Sequence, residues 1–295
     1  MRHARPSDPS PVTRSAAAPR PRLSPWEFAR RVAAGVIQHQ CMGSSAQIAY
    51  YLLFAMFPFL LSLTGLLAFL EVPNFMEWVL GLFAAVVPTA GLELIRDSVE
   101  RVVTRPHGAW FSASVVVSIW AGANAVEAII QGLHRVQGLY EDRPFWHTRV
   151  LALSLAVGVS FFALLGLLAL WFGSYVSRWW EVRGGLGPLP VEVWDILRWP
   201  LVMLLLIVAI DQLYFLGPAA RPRWRWITPG AVVAVLGWVV ASLGFSSYVS
   251  QFGRYNVMYG GIGAVVILLT WMYLTSFFIL LGAEVNAVAG ESRGR

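Results

Sequence analysis

The stretch VLALSLAVGVSFFALLGLLALWFGSYVS, residues 150–177, decides the fold. It holds no ionisable Asp, Glu, Lys, Arg or His, and Arg149 and Arg178 close it on either side. A hydrocarbon core of about 30 Å is crossed by roughly 20 apolar helical residues, because each residue rises about 1.5 Å. These 28 residues therefore span with length left for tilt. Helix is the conformation that satisfies the backbone polar groups within one segment in lipid. Working outward, five further segments meet the same measure, at about 48–70, 109–133, 196–216, 227–249 and 261–287. Thr228 and Pro229 open the fifth span as N-cap and first-turn residue. The sequence thus predicts an all-α integral membrane protein with six transmembrane helices.

The composition of all 295 residues agrees. The chain is 57% hydrophobic and only 13% charged, against about 25% charged in a soluble domain. The missing charge is the surface that faces lipid. The formal net charge is +6 and every basic residue is arginine. These arginines fall in the loops and the tail, so their distribution explains the basic balance and no nucleic-acid partner is expected. The single cysteine, Cys41, supports neither an intramolecular disulfide nor a thiolate metal site. His3, His39, His107, His134 and His147 are scattered, without HxH or HExxH spacing. Neither a G-x-S-x-G elbow nor a Lys-bearing phosphate loop occurs. No enzyme activity, metal or cofactor is therefore expected.

Residues 1–25 combine Pro6, Pro9, Pro11, Pro19, Pro21 and Pro25 with arginine, serine and alanine, and read as a disordered cytoplasmic tail rather than a cleavable signal peptide. Ser24 as N-cap and Pro25 at the first helical position then start an interfacial helix through Trp26, Phe28, Val32 and Ile37. The six-span domain occupies 26–290 and a short cytoplasmic tail 291–295. Between the first two spans, residues 74–104 join an apolar run too short to cross to the charged pattern Glu93, Arg96, Asp97, Glu100, Arg101. Short amphipathic surface helices are the expectation there, with a re-entrant hairpin as the alternative. An even number of spans puts both termini on one side, which collects fifteen arginines against seven opposite. The positive-inside rule then makes both termini cytoplasmic.

Ionisable residues inside spans are functional candidates, because charge in the bilayer is costly. Glu127, Asp211 and Glu284 lie near the inner ends of their spans, with Asn124 one turn from Glu127 and Asn286 beside Glu284. Two readings stay open: structural ion pairs with arginines of 134–149 and 221–225, or a polar vestibule opening to the cytoplasm. Ser114, Ser118 and Gly122 form a stripe for close helix packing or for the border of a groove, and Gly237 with Ala241 reads as close packing. Pro58 kinks the first span. On the outer side, SSYVSQFGRYNVMYGGIG, residues 246–263, brings Tyr248, Arg254, Tyr255, Asn256, Tyr259 and Gly260 between two spans. It reads as an interfacial hairpin whose glycines permit reversal, or as an outer gate for a lipid or solute.

Three runs carry a family resemblance. AYYLLFAMFPFLL from Ala49, GANAVEAIIQGLHRVQGLYEDRPFWHTRVLAL from Gly122, and the run from Pro229 through GFSSYVSQFGRYNVMYGGIGAVVILLTWMYLTSFFILLGAEVNA resemble the YihY/virulence factor BrkB family, formerly labelled ribonuclease BN-like, over roughly 25–290. The resemblance places the family's recurrent positions at Tyr50, Pro58, Gly122, Asn124 and Arg143, at Phe245, Tyr248, Tyr255, Asn256, Tyr259 and Gly260, and at Trp271, Gly282, Glu284 and Asn286. This chain departs from it in carrying His134-Arg135 where members commonly have a second asparagine before the arginine. The resemblance implies a multi-pass bacterial inner (plasma) membrane protein with transport-like or envelope roles, lipid movement included. Ribonuclease activity is not expected, since no His/Asp cluster for catalytic metals is present. Two functions remain in competition. One is a transporter or flippase-like protein for a lipid or other amphipathic, anionic envelope molecule, with Asn124, Glu127, Arg143, Asp211, Glu284 and Asn286 at the inner vestibule. The other is a non-transporting membrane scaffold for envelope assembly. Membrane lipids are the expected partners, and a homodimer would supply the second half that the usual transporter plan needs.

Overall fold

A computed structural model describes residues 23–70, 108–139, 143–183, 189–219, 227–251 and 255–292. Among them are seven helices and no strand: α1 Pro25–Gln38, α2 Cys41–Leu70, α3 Gly108–Gln137, α4 Phe145–Arg183, α5 Leu189–Leu216, α6 Pro229–Gln251 and α7 Tyr255–Ser292. Six contain a stretch long and apolar enough to cross a membrane: Cys41–Leu60, Ala113–Gln137, Phe145–Leu170, Ile196–Leu216, Pro229–Ser250 and Gly263–Glu291. The all-α six-span reading is therefore right. The expected surface helices at 74–104, almost all of the proline-rich tail, and Arg254 lie outside the described residues.

The first crossing helix starts at Cys41, about two turns before the expected position near 48. Its opening turns are polar in sequence yet buried, with Cys41, Ser44 and Ser45 all inside the bundle. Ser45 returns its hydroxyl to the Cys41 carbonyl at 2.7 Å, so the polar start costs the helix nothing in unmet hydrogen bonds. Pro58 lies within α2, which continues past it to Leu70; its missing N–H leaves the Phe54 carbonyl without the usual helical donor.

α7 is the centre of the bundle, packing on α1, α2, α3 and α6. Leu280 from α7 meets Ile130 and Leu133 of α3, Leu155 of α4 and Leu213 of α5 in the main core. Small residues set the spacing, as expected where helices associate in lipid by van der Waals fit. Gly230 of α6 and Gly282 of α7 sit so close that a Cβ on either would strike the other's carbonyl oxygen. Gly237 does accept close packing, since a Cβ there would stand 2.5 Å from the Phe278 ring. Gly122 does not: nothing lies within 4 Å of its would-be Cβ, so that end of the α3 stripe borders open space.

Ser24 caps α1 by accepting the Glu27 N–H at 3.2 Å, with Pro25 at the first helical position. One face of α1 buries Val32, Gly35 and Val36, and Val32 packs on Val285 and Val288 near the end of α7. The described ends of the chain thus meet at one end of the bundle. A two-residue turn, with Gln40 at φ 52°, links α1 to α2.

A second correction concerns the expected outer hairpin. Tyr255, Asn256, Tyr259 and Gly260 belong to the first turns of α7 and not to a reversal, because the glycines lie inside a 38-residue helix. At about 1.5 Å per residue this helix is close to 57 Å long, against a hydrocarbon core of about 30 Å.

Candidate functional site

At the end of the bundle that carries both chain ends, alternating helices bring the last turns of α3, α5 and α7 beside the first turns of α2, α4 and α6. The sequence-predicted acids all lie here, but each has its own partners.

Glu127 faces Arg149, which rises from the second turn of α4. One guanidinium nitrogen, Nη1, donates to Asn124 Oδ1 at 2.6 Å and to Glu127 Oε2 at 3.3 Å. The other, Nη2, donates to the Trp120 carbonyl at 2.8 Å. The guanidinium carbon also lies 3.8 Å from the centroid of the Trp120 ring, in cation–π position. Arg149 is buried while the Glu127 side chain is 23% exposed. The Nε atom of Arg149 is buried without an acceptor. The sequence offered the arginines of 134–149 as ion-pair partners for the acids without singling out Arg149, which bounds an uncharged stretch and reads as a loop arginine. Its place four residues into α4 turns it back into the helix contact.

Glu284 is 1% exposed, and among the described residues its charged partner is His39. Its Oε1 lies 2.6 Å from His39 Nδ1 and accepts a weak bond from Cys41 Sγ at 3.5 Å. Gly35 makes room for it, since a Cβ there would stand 2.5 Å from Oε2. The contact ties the end of α1 and the start of α2 to α7.

Asp211 and Asn286 do a third job together. Thr228 caps α6 by accepting the Ala231 N–H at 3.2 Å. Asp211 accepts both the Thr228 N–H at 3.0 Å and its hydroxyl at 2.5 Å. Asn286 accepts the Gly230 N–H at 2.8 Å and donates to the Thr228 hydroxyl at 2.9 Å. The N–H groups at the start of a helix lack helical acceptors, and here α5 supplies an oxygen to that of Thr228 and α7 one to that of Gly230. The arginines at 221–225, expected to reach Asp211, lie outside the described residues.

Arg143 donates to the Gly217 and Pro218 carbonyls at 3.2 and 2.9 Å, while His134 Nε2 accepts the Ala219 N–H at 3.0 Å. Both hold the segment that leaves α5. Arg135 reaches Ser44 at 2.8 Å. The inner candidates therefore share one end of the bundle without joining into one network through the bonds described here. Of the outer candidates, Tyr248 is exposed on α6, and Arg254 and the side chains of Tyr255, Asn256 and Tyr259 lie outside the described residues. Among the described residues no three His, Cys, Asp or Glu side chains are placed to hold a metal ion.

Six apolar helices with charged groups confined to their ends and contacts define a multi-pass α-helical membrane protein. The chain belongs to the Virulence factor BrkB family, whose profile matches residues 32–295. It is 31% identical over 250 residues to a protein of Bacillus subtilis named ribonuclease-like protein YfkH, covering 85% of this chain and 90% of that one. It is 38% identical over 95 residues to a UPF0761 membrane protein of Vibrio cholerae, and 40% over 97 residues to one of Aliivibrio salmonicida. Those two matches span 32% and 31% of the relatives' own lengths. No solved structure matches the chain.

Proposed function

We propose that the protein is a flippase-like transporter, not an enzyme, for a lipid or another amphipathic, anionic envelope molecule. It sits in the bacterial inner membrane with both termini in the cytoplasm. The observation that carries this reading is the Arg149 centre. A guanidinium buried at a helix contact inside a membrane protein is rare and marks solute or headgroup pathways. Its acceptors are a carboxylate and two neutral oxygens, and an anionic headgroup offers the same chemistry in bidentate form. Glu127, partly exposed, is the member that such a headgroup would displace. The fifteen arginines on the side of the termini support the orientation.

The test uses Arg149→Met combined with Glu127→Leu, which removes both charges without stranding one. Wild-type protein should retain a defined lipid or envelope precursor in native mass spectrometry and flip a headgroup-labelled phospholipid in liposomes. The double variant should lose both while keeping its helical content. Equal flipping by the two proteins, or only bulk lipid on both, refutes the assignment.

The scaffold reading has its own support. Asp211, Thr228 and Asn286 are fully engaged in capping α6, which is a structural use of in-membrane polar groups. A partner protein that co-purifies in place of a defined lipid would favour it.

A further inference from the structure

α1 has two apolar faces, and the bundle uses only one. Phe28, Val32, Gly35 and Val36 turn toward α7, with Val32, Gly35 and Val36 buried. At 100° per residue, Trp26, Ala29, Ala33 and Ile37 fall on another side, and all four are exposed. Trp26 is 79% and Ile37 75% exposed, which a water-facing helix surface would not favour. Arg30 lies at the edge of this stripe and is exposed, while Arg31 is shared with Glu27 at 2.8 Å. Met42 and Tyr50, exposed on the neighbouring α2, continue the apolar surface into a crossing helix. The two-residue turn at His39 and Gln40 leaves α1 no slack to drift from the start of α2.

We infer that α1 docks on the membrane itself: Trp26, Ala33 and Ile37 lie beneath the headgroups of an anionic phospholipid leaflet and Arg30 meets their phosphates. Charge complementarity and continuity with the lipid-facing side of α2 select a bilayer over a second protein. An amphipathic helix with aromatic and basic residues at the apolar edge binds such an interface by apolar burial plus attraction to anionic lipid. The contact of His39 with Glu284 makes this surface helix part of the bundle, so its depth is fixed by α7. The inference is independent of whether the protein transports anything.

The test places an environment-sensitive fluorophore on Ala33→Cys or on Gln38→Cys, each in a Cys41→Ser background, in the full chain reconstituted in nanodiscs. Discs of phosphatidylcholine alone are compared with discs containing phosphatidylglycerol. The label at 33 should be blue-shifted and shielded from aqueous iodide, more so in the anionic discs, while the label at 38 stays accessible. Arg30→Gln should lower the preference for anionic discs roughly fivefold, the worth of one cation at such a surface. Hydroxyl-radical footprinting of the unaltered protein gives a second reading: Trp26 should be protected in discs and oxidised in small detergent micelles. Equal quenching at 33 and 38 with Trp26 oxidised in discs overturns the inference. Shielding at 33 that persists in detergent and grows with protein concentration also overturns it, in favour of a second copy.

Discussion

Replacing Glu127 with Gln leaves Arg149 as a buried cation with only neutral acceptors. At 3.3 Å and an effective dielectric of about 20, the lost Coulomb attraction is roughly 5 kcal/mol. Glu127 keeps part of its surface exposed, so rehydration recovers some of this and the expected loss falls to about 3 kcal/mol, the lower end for a broken buried pair. That is roughly a 150-fold change in the folding equilibrium. Arg149→Met should cost at least as much, since it also removes the donor to Asn124 and the Trp120 carbonyl and the contact with the Trp120 ring. The double variant Arg149→Met with Glu127→Leu should be no less stable than either single one, because no charge is then stranded. Reversible unfolding in mixed detergent and dodecyl sulfate micelles, followed by circular dichroism, gives the double-mutant cycle. If the two single losses simply add in the double variant, the pair is not coupled and the reasoning fails.

Gly35→Ala should cost about 1–3 kcal/mol in the same unfolding assay, because its Cβ would meet a Glu284 carboxylate already held by His39; an unchanged midpoint would show that Glu284 is free to move. Gly282→Ala should be worse, by about 3 kcal/mol or by loss of folded protein, since the new methyl meets the Gly230 carbonyl and the Tyr214 hydroxyl. Gly122→Ala should go the other way and stabilise by about 0.5–1 kcal/mol, having open space and better helix propensity. Thr228→Val should lower stability by about 2 kcal/mol and Thr228→Ser by far less, as judged by thermal aggregation in detergent, if the hydroxyl caps α6 and serves Asp211 and Asn286.

The spans were legible because hydrophobic length has a physical ruler, and Ser24 and Thr228 were legible as caps because they precede proline at the start of apolar periodicity. The depth of Glu127, Asp211 and Glu284 could be counted along each helix in the same way. What depth does not give is azimuth, the direction in which each side chain leaves its helix. That is why the contact of Glu284 with His39, from a segment 245 residues away in sequence, was not legible. Asn286 as a cap for α6 was hidden for the same reason. The glycines of 260–263 pointed to a turn by residue type, yet they stand in a helix. Close helix neighbours in lipid select small residues as strongly as tight turns do.

The burial of α1 against α7 also has a meaning in time. α1 leaves the ribosome before the six crossing helices described above, and the surface that receives Val32, together with the carboxylate that receives His39, is the last part of the described chain to be made. Through the insertion of five spans, α1 has no finished seat. Its docking therefore reports that the sixth has arrived, and a chain halted before residue 284 would present an undocked N-terminal helix to quality-control proteases.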